Sequence, residues 1–306
     1  MGKIAFVFAG QGAQYPGMGS ELAEVSPAAA EIFDKAEAAR PGTKKQCFEG
    51  TAEELKRTDN TQPCMYTVEM AAAAALSEKG IKADMAAGFS LGELAALSYA
   101  GAMDFESGFR LVCKRGELMQ QAADTQDTSM AAVLRLTDSE VEEICAKFEQ
   151  VYPVNYNCPG QVSVAGAADE MKELRGAVKE AGGRAIPIKV SGGFHSPFME
   201  DAGKAFEEEI SKCGMNPLTC DLYADCTGEK YTDDVAGILA QQMCSPVKWE
   251  KIIRNMIEDG ADTFIELGPG NTLAGFITKI DENVKVFPME KAEDLQAIID
   301  GGIKNA

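Results

Sequence analysis

The sequence predicts an α/β fold: a mostly parallel sheet covered by helices on both faces, interrupted by a small ferredoxin-like α+β unit. Three observations predict it. Short apolar runs of strand length alternate with longer helical stretches along most of the 306 residues, the pattern of parallel strands joined by crossover helices. Within residues 127–191 the order changes to strand, helix, strand, strand, helix, strand, which is the βαββαβ unit. Hydrophobic residues make up 45% and charged residues 25% of the chain, enough apolar material for a core larger than one ordinary domain. The expected organisation is a discontinuous core, residues 1–126 and 192–306, with residues 127–191 inserted as a subdomain.

The elements follow in order. Lys3 to Phe8 is an apolar run ended by Gly10, a buried strand. Glycines at 10, 12, 17 and 19 mark a loop, and helical patterns then occupy roughly 20–40 and 51–79. A short apolar stretch, Ala83 to Ala87, leads into Gly88-Phe89-Ser90-Leu91-Gly92. A helix follows and stops at Gly101, and another spans 108–122. In the insert, strands are expected at 130–136, 152–156, 161–165 and 185–190, and helices at 138–148 and 169–181. Asn157-Cys158-Pro159-Gly160 forms the turn of its hairpin. Beyond it come helices near 198–213, 232–243 and 248–259, and strands near 219–225 and 263–267.

Composition removes several function classes. With 29 basic and 48 acidic residues the formal net charge is −19, which disfavours nucleic acid and anionic membrane as partners. The N-terminus enters a strand directly, without the apolar region of a signal peptide, and no apolar run is long enough to span a bilayer. Nine scattered cysteines form no C-x-x-C pair and read as reduced thiols of a cytoplasmic protein. His195 is the only histidine, so a zinc site is not expected. Neither a metal nor a bound redox cofactor is implied.

Four features carry chemistry. Gly88-Phe89-Ser90-Leu91-Gly92 matches G-x-S-x-G, in which glycines permit a tight strand-to-helix turn that lifts the serine hydroxyl out of the sheet. The backbone N–H of the next residue, Leu91, then faces a developing oxyanion. The alternative is a turn serine that caps a helix. His195 lies in Ser191-Gly192-Gly193-Phe194-His195-Ser196-Pro197, a glycine-rich connection where side chains reach clefts. A serine nucleophile needs a base that works near neutral pH, and only His195 can supply imidazole. Arg115 shares a helix face with Leu111, Leu118 and Ala122. A guanidinium on an apolar stripe needs an anion, either an internal carboxylate or a substrate carboxylate. Finally, Gly10-Gln11-Gly12-Ala13-Gln14 fails G-x-G-x-x-G at Tyr15 and no G-K-[ST] follows. It is therefore no nucleotide phosphate loop, but either a backbone donor aimed at the site or a tight turn.

Taken together and in order, six motifs carry a resemblance. They are Gly10 to Gln14, Gly88 to Glu93, Arg115 through Met119-Gln120, Asn155-Tyr156-Asn157 with Pro159-Gly160-Gln161, Phe194-His195-Ser196, and Glu266-Leu267-Gly268-Pro269-Gly270. From residue 4 to about 280 the chain resembles the malonyl-CoA:acyl carrier protein transacylases of dissociated fatty acid synthesis. The resemblance implies an α/β-hydrolase-like core with Ser90 as nucleophile and His195 as base. It implies an oxyanion hole from the backbone N–H groups of Gln11 and Leu91, and a malonyl carboxylate held by Arg115. At Gln242 the family uses a backbone carbonyl to orient the histidine, replacing the acid of a triad. Phe194 before His195 matches malonyl preference in related modular acyltransferases. Phe89 departs from the family, which commonly has histidine there, and leaves His195 without an imidazole competitor.

The implied partners are malonyl-CoA and acyl carrier protein, served by a monomer. Carrier proteins are acidic, so docking onto this acidic chain needs a local basic group. Arg184 and Lys189, flanking the last strand of the insert, are the first candidates, and Lys248, Lys251 and Arg254 on one helix are the second. Two other classes compete: a serine esterase or thioesterase of the same core, and a non-catalytic carrier-binding scaffold. The base of such hydrolases sits near the chain end, whereas more than a third of this chain follows His195. A scaffold has no use for Ser90, His195 and Arg115 together.

Overall fold

A computed structural model describes residues 2–190 and 192–303; Ser191, where the expected insert ends, lies outside them. β1 (Lys3–Phe8) is the middle strand of a five-stranded sheet and is buried except at Lys3. Its residues alternate between two cores, Phe6 and Phe8 on one face and Ala5 and Val7 on the other. Burial on both faces explains the unbroken apolar run, each large side chain contributing about 1.5–3 kcal/mol.

The helix expected at 20–40 is two helices, α1 (Ser20–Val25) and α2 (Pro27–Ala39). Ser26 between them is extended and its hydroxyl accepts the Ala29 N–H, while Pro27 occupies the first helical turn. Capping by the serine and the missing proline donor divide the pattern at this point. α3 (Thr43–Glu49) is an additional short helix. The helix expected from 51 begins only at α4 (Thr58–Glu78), preceded by a 3₁₀ turn at Glu54–Lys56. β2 (Met85–Gly88), α5 (Gly92–Tyr99) and α6 (Phe105–Thr125) complete the first half of the core.

Then comes the unit β3 (Thr128–Leu134), α7 (Asp138–Cys145), β4 (Val151–Cys158), β5 (Gln161–Ala167), α8 (Glu170–Glu180) and β6 (Arg184–Ile188). Its strands pair antiparallel in the order β4-β5-β3-β6, which is ferredoxin-like topology. The period of two in the strands assigns the two faces. Ala131, Val133, Val162 and Val164 pack with α7 and α8, whereas Met130, Ala132, Gln161 and Ser163 turn toward a cleft.

The chain returns through α9 (Glu200–Ser211), β7 (Asp221–Tyr223), α10 (Val235–Gln242), α11 (Trp249–Glu258), β8 (Ala261–Leu267), α12 (Thr272–Ile280), β9 (Lys285–Met289) and α13 (Ala292–Asp300). The large sheet is parallel throughout, in the order β7-β2-β1-β8-β9. The two sheets do not simply abut. Val247 donates its N–H to the Val154 carbonyl and accepts the Tyr156 N–H, each at 2.9 Å, so β4 is stitched to the segment after α10. Among the described residues no helix is long and apolar enough to cross a membrane.

Candidate active site

The turn that carries Ser90 follows from two glycines. A Cβ on Gly88 would lie 2.0 Å from the Gly92 carbonyl carbon, and one on Gly92 would lie 2.3 Å from the Phe8 carbonyl oxygen. Only glycine lets the start of α5 pass this close to β1 and β2. Between them Ser90 is held at φ 56°, a left-handed conformation that costs a non-glycine residue on the order of 1–3 kcal/mol unless the surroundings enforce it. Here they do. The Ser90 N–H donates to Asp225 Oδ2 at 2.7 Å, and the Ser90 carbonyl accepts from the Gln242 side-chain amide.

His195 also has positive φ, 60°, and comes from the connection between β6 and the 3₁₀ turn Pro197–Met199. Its Nε2 is 2.6 Å from Ser90 Oγ, and its Nδ1 is 3.1 and 3.2 Å from the carbonyl oxygens of Gln242 and Ser245. Carbonyls only accept, so Nδ1 carries the proton and Nε2 is left as the acceptor for the serine hydroxyl. Burial, and secondarily the positive charge of Arg115, push the imidazole down to about 4, with the two carbonyls acting in the opposite direction. The ring is thus neutral at physiological pH and oriented by main chain, with no carboxylate in contact among the described residues.

Arg115 projects from α6 and is fully buried. Its Nη2 donates to Gln242 Oε1 at 2.8 Å and to Ser90 Oγ at 3.2 Å, while Nε and Nη1 have no partner among the described residues. Among the described residues no carboxylate forms an ion pair with it. Desolvation lowers its pKa to about 10, against attraction from Asp225 and Glu93. An internal salt bridge, one of the two readings open from sequence, is not how this guanidinium is held.

Beside Ser90 opens a cleft of about 250 Å³. Met119, Met130, Ile188, Val190 and Phe194 give it apolar walls, and Gln11, Asn155, Asn157 and Gln161 add polar groups. Among the described residues the backbone N–H groups of Gln11 and Leu91 find no acceptor within the protein. Phe89 packs edge-on against Trp249 at 5.5 Å and beside Phe276 at 6.4 Å, as part of the apolar wall. The basic groups fall into two kinds. Arg184 and Lys189 are exposed on and beside the edge strand β6. In the other set, Lys251 pairs with Glu229 at 2.8 Å and Arg254 with Glu250 at 2.7 Å, and Lys248 is half-buried.

Sequence reasoning brought Gln242 forward for its carbonyl alone, although its side chain also joins Arg115 to the Ser90 carbonyl. Asp225 and Tyr231, buried behind the serine, were not singled out, and Glu93 entered only as the last residue of the Gly88–Glu93 motif. Glu93 carried a local signal, since it follows the G-x-S-x-G turn. Asp225 carried none among 48 acidic residues.

The acyl transferase domain model matches residues 5–293. The chain is 38% identical over 309 residues to the malonyl CoA-acyl carrier protein transacylase of Bacillus subtilis (strain 168), covering 98% of this chain and 97% of that one. The crystal structure of the corresponding protein from Clostridium perfringens superposes with a TM-score of 0.95 at 38% identity, covering 98% of this chain and 96% of the other. A malonyl-transacylase in complex with a type II PKS acyl-carrier protein superposes with a TM-score of 0.93 at 30% identity, covering 98% and 99%. On the family model, which spans most of its length, and on these relatives, the chain belongs to the acyl transferase family.

Proposed function

We propose that this acyltransferase moves a malonyl group from malonyl-CoA to the phosphopantetheine thiol of acyl carrier protein through a malonyl-serine intermediate. One observation carries the reading: a buried guanidinium with two unpartnered nitrogens lies 3.2 Å from a serine hydroxyl that a neutral imidazole contacts at 2.6 Å. Malonyl is an acyl group that ends in a carboxylate, so one substrate satisfies both features. Ser90 Oγ attacks the thioester carbonyl as its proton passes to His195 Nε2. The Gln11 and Leu91 N–H groups receive the oxyanion, and the tetrahedral adduct collapses to the acyl-serine. His195 returns the proton to the departing CoA sulfur. The carrier thiol then repeats the steps in reverse order and frees Ser90. Arg115 holds the malonyl carboxylate through both halves. Gln242 and Ser245 keep the His195 tautomer, and the apolar walls keep water from competing with the thiol.

Arg184 and Lys189 are the proposed carrier contact, because both are exposed and free of ion pairs among the described residues, and Lys189 lies between the cleft residues Ile188 and Val190. Lys251 and Arg254 are already engaged with carboxylates. Among the described residues the exposed large hydrophobics are Val25 and Ile186 alone, which supports a monomer. Nine unpaired thiols support a reducing, cytoplasmic setting.

Intact-mass measurement after mixing pure protein with malonyl-CoA tests the reading. A malonyl adduct that acyl carrier protein discharges is expected. Free malonate without an adduct would instead make the protein a hydrolase, and no reaction would make it a scaffold.

A further inference from the structure

Arg115 is linked to a buried acid through an amide. Arg115 Nη2 donates to Gln242 Oε1 at 2.8 Å, and Gln242 Nε2 donates onward to Asp225 Oδ2 at 3.3 Å. The same carboxylate oxygen accepts the Ser90 N–H at 2.7 Å, while Asp225 Oδ1 has no partner among the described residues. Behind it, Glu93 Oε1 accepts the Asp225 N–H at 3.0 Å and the Tyr231 hydroxyl at 2.6 Å, and Glu93 Oε2 is unpartnered. Asp225 is 1% and Glu93 0% exposed. A buried cation needs a counter-charge, but two buried acids side by side cannot both be ionised at modest cost. The cluster is electrically balanced when Arg115 is charged and the two acids together hold one proton.

A substrate carboxylate adds one negative charge. We infer that the Glu93–Asp225 pair is the counter-charge of Arg115 in the empty site and takes up one solvent proton when a substrate carboxylate pairs with Arg115. Asp225 is in addition a positioning residue, because it anchors the strained Ser90 backbone. The inference rests on the reading of Arg115 as the carboxylate clamp. Burial favours the protonated form of both, raising Glu93 to about 7 and Asp225 well above the ordinary carboxylate range. The other titratable groups facing the pair stay fixed near neutrality. His195 is held down at about 4, Cys226 is raised to about 12, Tyr231 is raised well above its ordinary value, and Arg115 remains charged. Tyr231, which donates to Glu93, also lines a separate open cleft of about 850 Å³.

The test uses full-length Ser90→Ala protein, which binds without reacting. Binding of malonyl-CoA and of CoA is measured by calorimetry in two buffers of different ionisation enthalpy. Malonyl-CoA should take up close to one proton more than CoA near neutral pH. Above neutrality its affinity relative to CoA should fall by up to about tenfold per pH unit. Adding Asp225→Asn and Glu93→Gln together leaves no ionisable acid behind Arg115 and should remove both effects; if that variant does not fold, calorimetry of the Ser90→Ala protein alone still decides. Preferential malonyl-CoA binding without extra proton uptake overturns the inference, as does uptake that survives both substitutions. No preference for malonyl-CoA over CoA overturns the clamp itself, and the exchange with it.

Discussion

Desolvation sets the behaviour of His195. With its imidazole at about 4 in place of the usual 6.5, the neutral base persists far into acid. The acylation rate should stay on a plateau as pH falls through 6.5 and decline only near pH 4, as rapid-quench mass measurements would show. A midpoint between 6 and 7 would contradict the environment described. The same shift affects stability: between those two values the unfolded chain binds a proton that the native imidazole refuses, so this group's contribution to stability falls as pH drops from 6.5 to 4. His195→Ala should abolish adduct formation at neutral pH, since no second imidazole exists. Wild-type-like acylation of that variant would remove the dyad. At Arg115 the expected outcome is selective. A guanidinium–carboxylate pair broken on one side costs about 2–5 kcal/mol, roughly 30- to 5,000-fold. Arg115→Ala should lose that factor in kcat/KM for malonyl-CoA, while acetyl-CoA falls much less or rises, and Arg115→Lys should restore only part. Equal losses for both thioesters would take Arg115 out of the substrate site.

At the scale of elements, the crossing of β1, β2 and α5 makes the nucleophile turn possible. Gly92→Ala would place a methyl 2.3 Å from the Phe8 carbonyl oxygen, and backbone cannot yield as a flexible side chain can. Such overpacking should cost at least about 1–3 kcal/mol, read as a lower melting temperature together with lost acylation; an unchanged melting curve would mean that the turn relaxes. Where an element's signal was local, the sequence located it: β1, the hairpin of β4 and β5, and α6 lie close to their apolar patterns. The expected 20–40 helix was divided by capping at Ser26. α12, β9 and α13 lie beyond the last element that the pattern resolved, and a β9 of five residues that carries Pro288 gives a weak strand signal.

Across the whole molecule, a net charge of −19 repels an acidic carrier at long range, so the approach depends on which exposed cations stand beside the site. Arg184→Glu should raise the KM for acyl carrier protein several-fold while leaving acylation by malonyl-CoA unchanged, and added salt should narrow the difference. An unchanged carrier KM would retire the β6 edge as the contact. The stitching of β4 to Val247 also belongs to this scale, because it ties the small sheet to the segment whose Gln242 and Ser245 carbonyls orient His195.

Local pattern by itself determined the α/β class, the ferredoxin-like insert, the turn that presents Ser90, His195 as the only available imidazole, and the burial of Arg115 on an apolar stripe. Each of these rests on periodicity, glycine spacing or the presence of one residue type, all of which act between near neighbours in the chain. Only the tertiary structure decided that Arg115 has no carboxylate in contact among the described residues, that the Gln242 side chain bridges it to Ser90, and that Asp225, out of 48 acids, stands behind the nucleophile. The contacts Ser90–His195, Arg115–Gln242 and Ser90–Asp225 join residues 105, 127 and 135 positions apart. A hydrogen bond across such a separation leaves no periodic trace, because its geometry is set by how two sheets and their connections pack and not by the residues on either side of it.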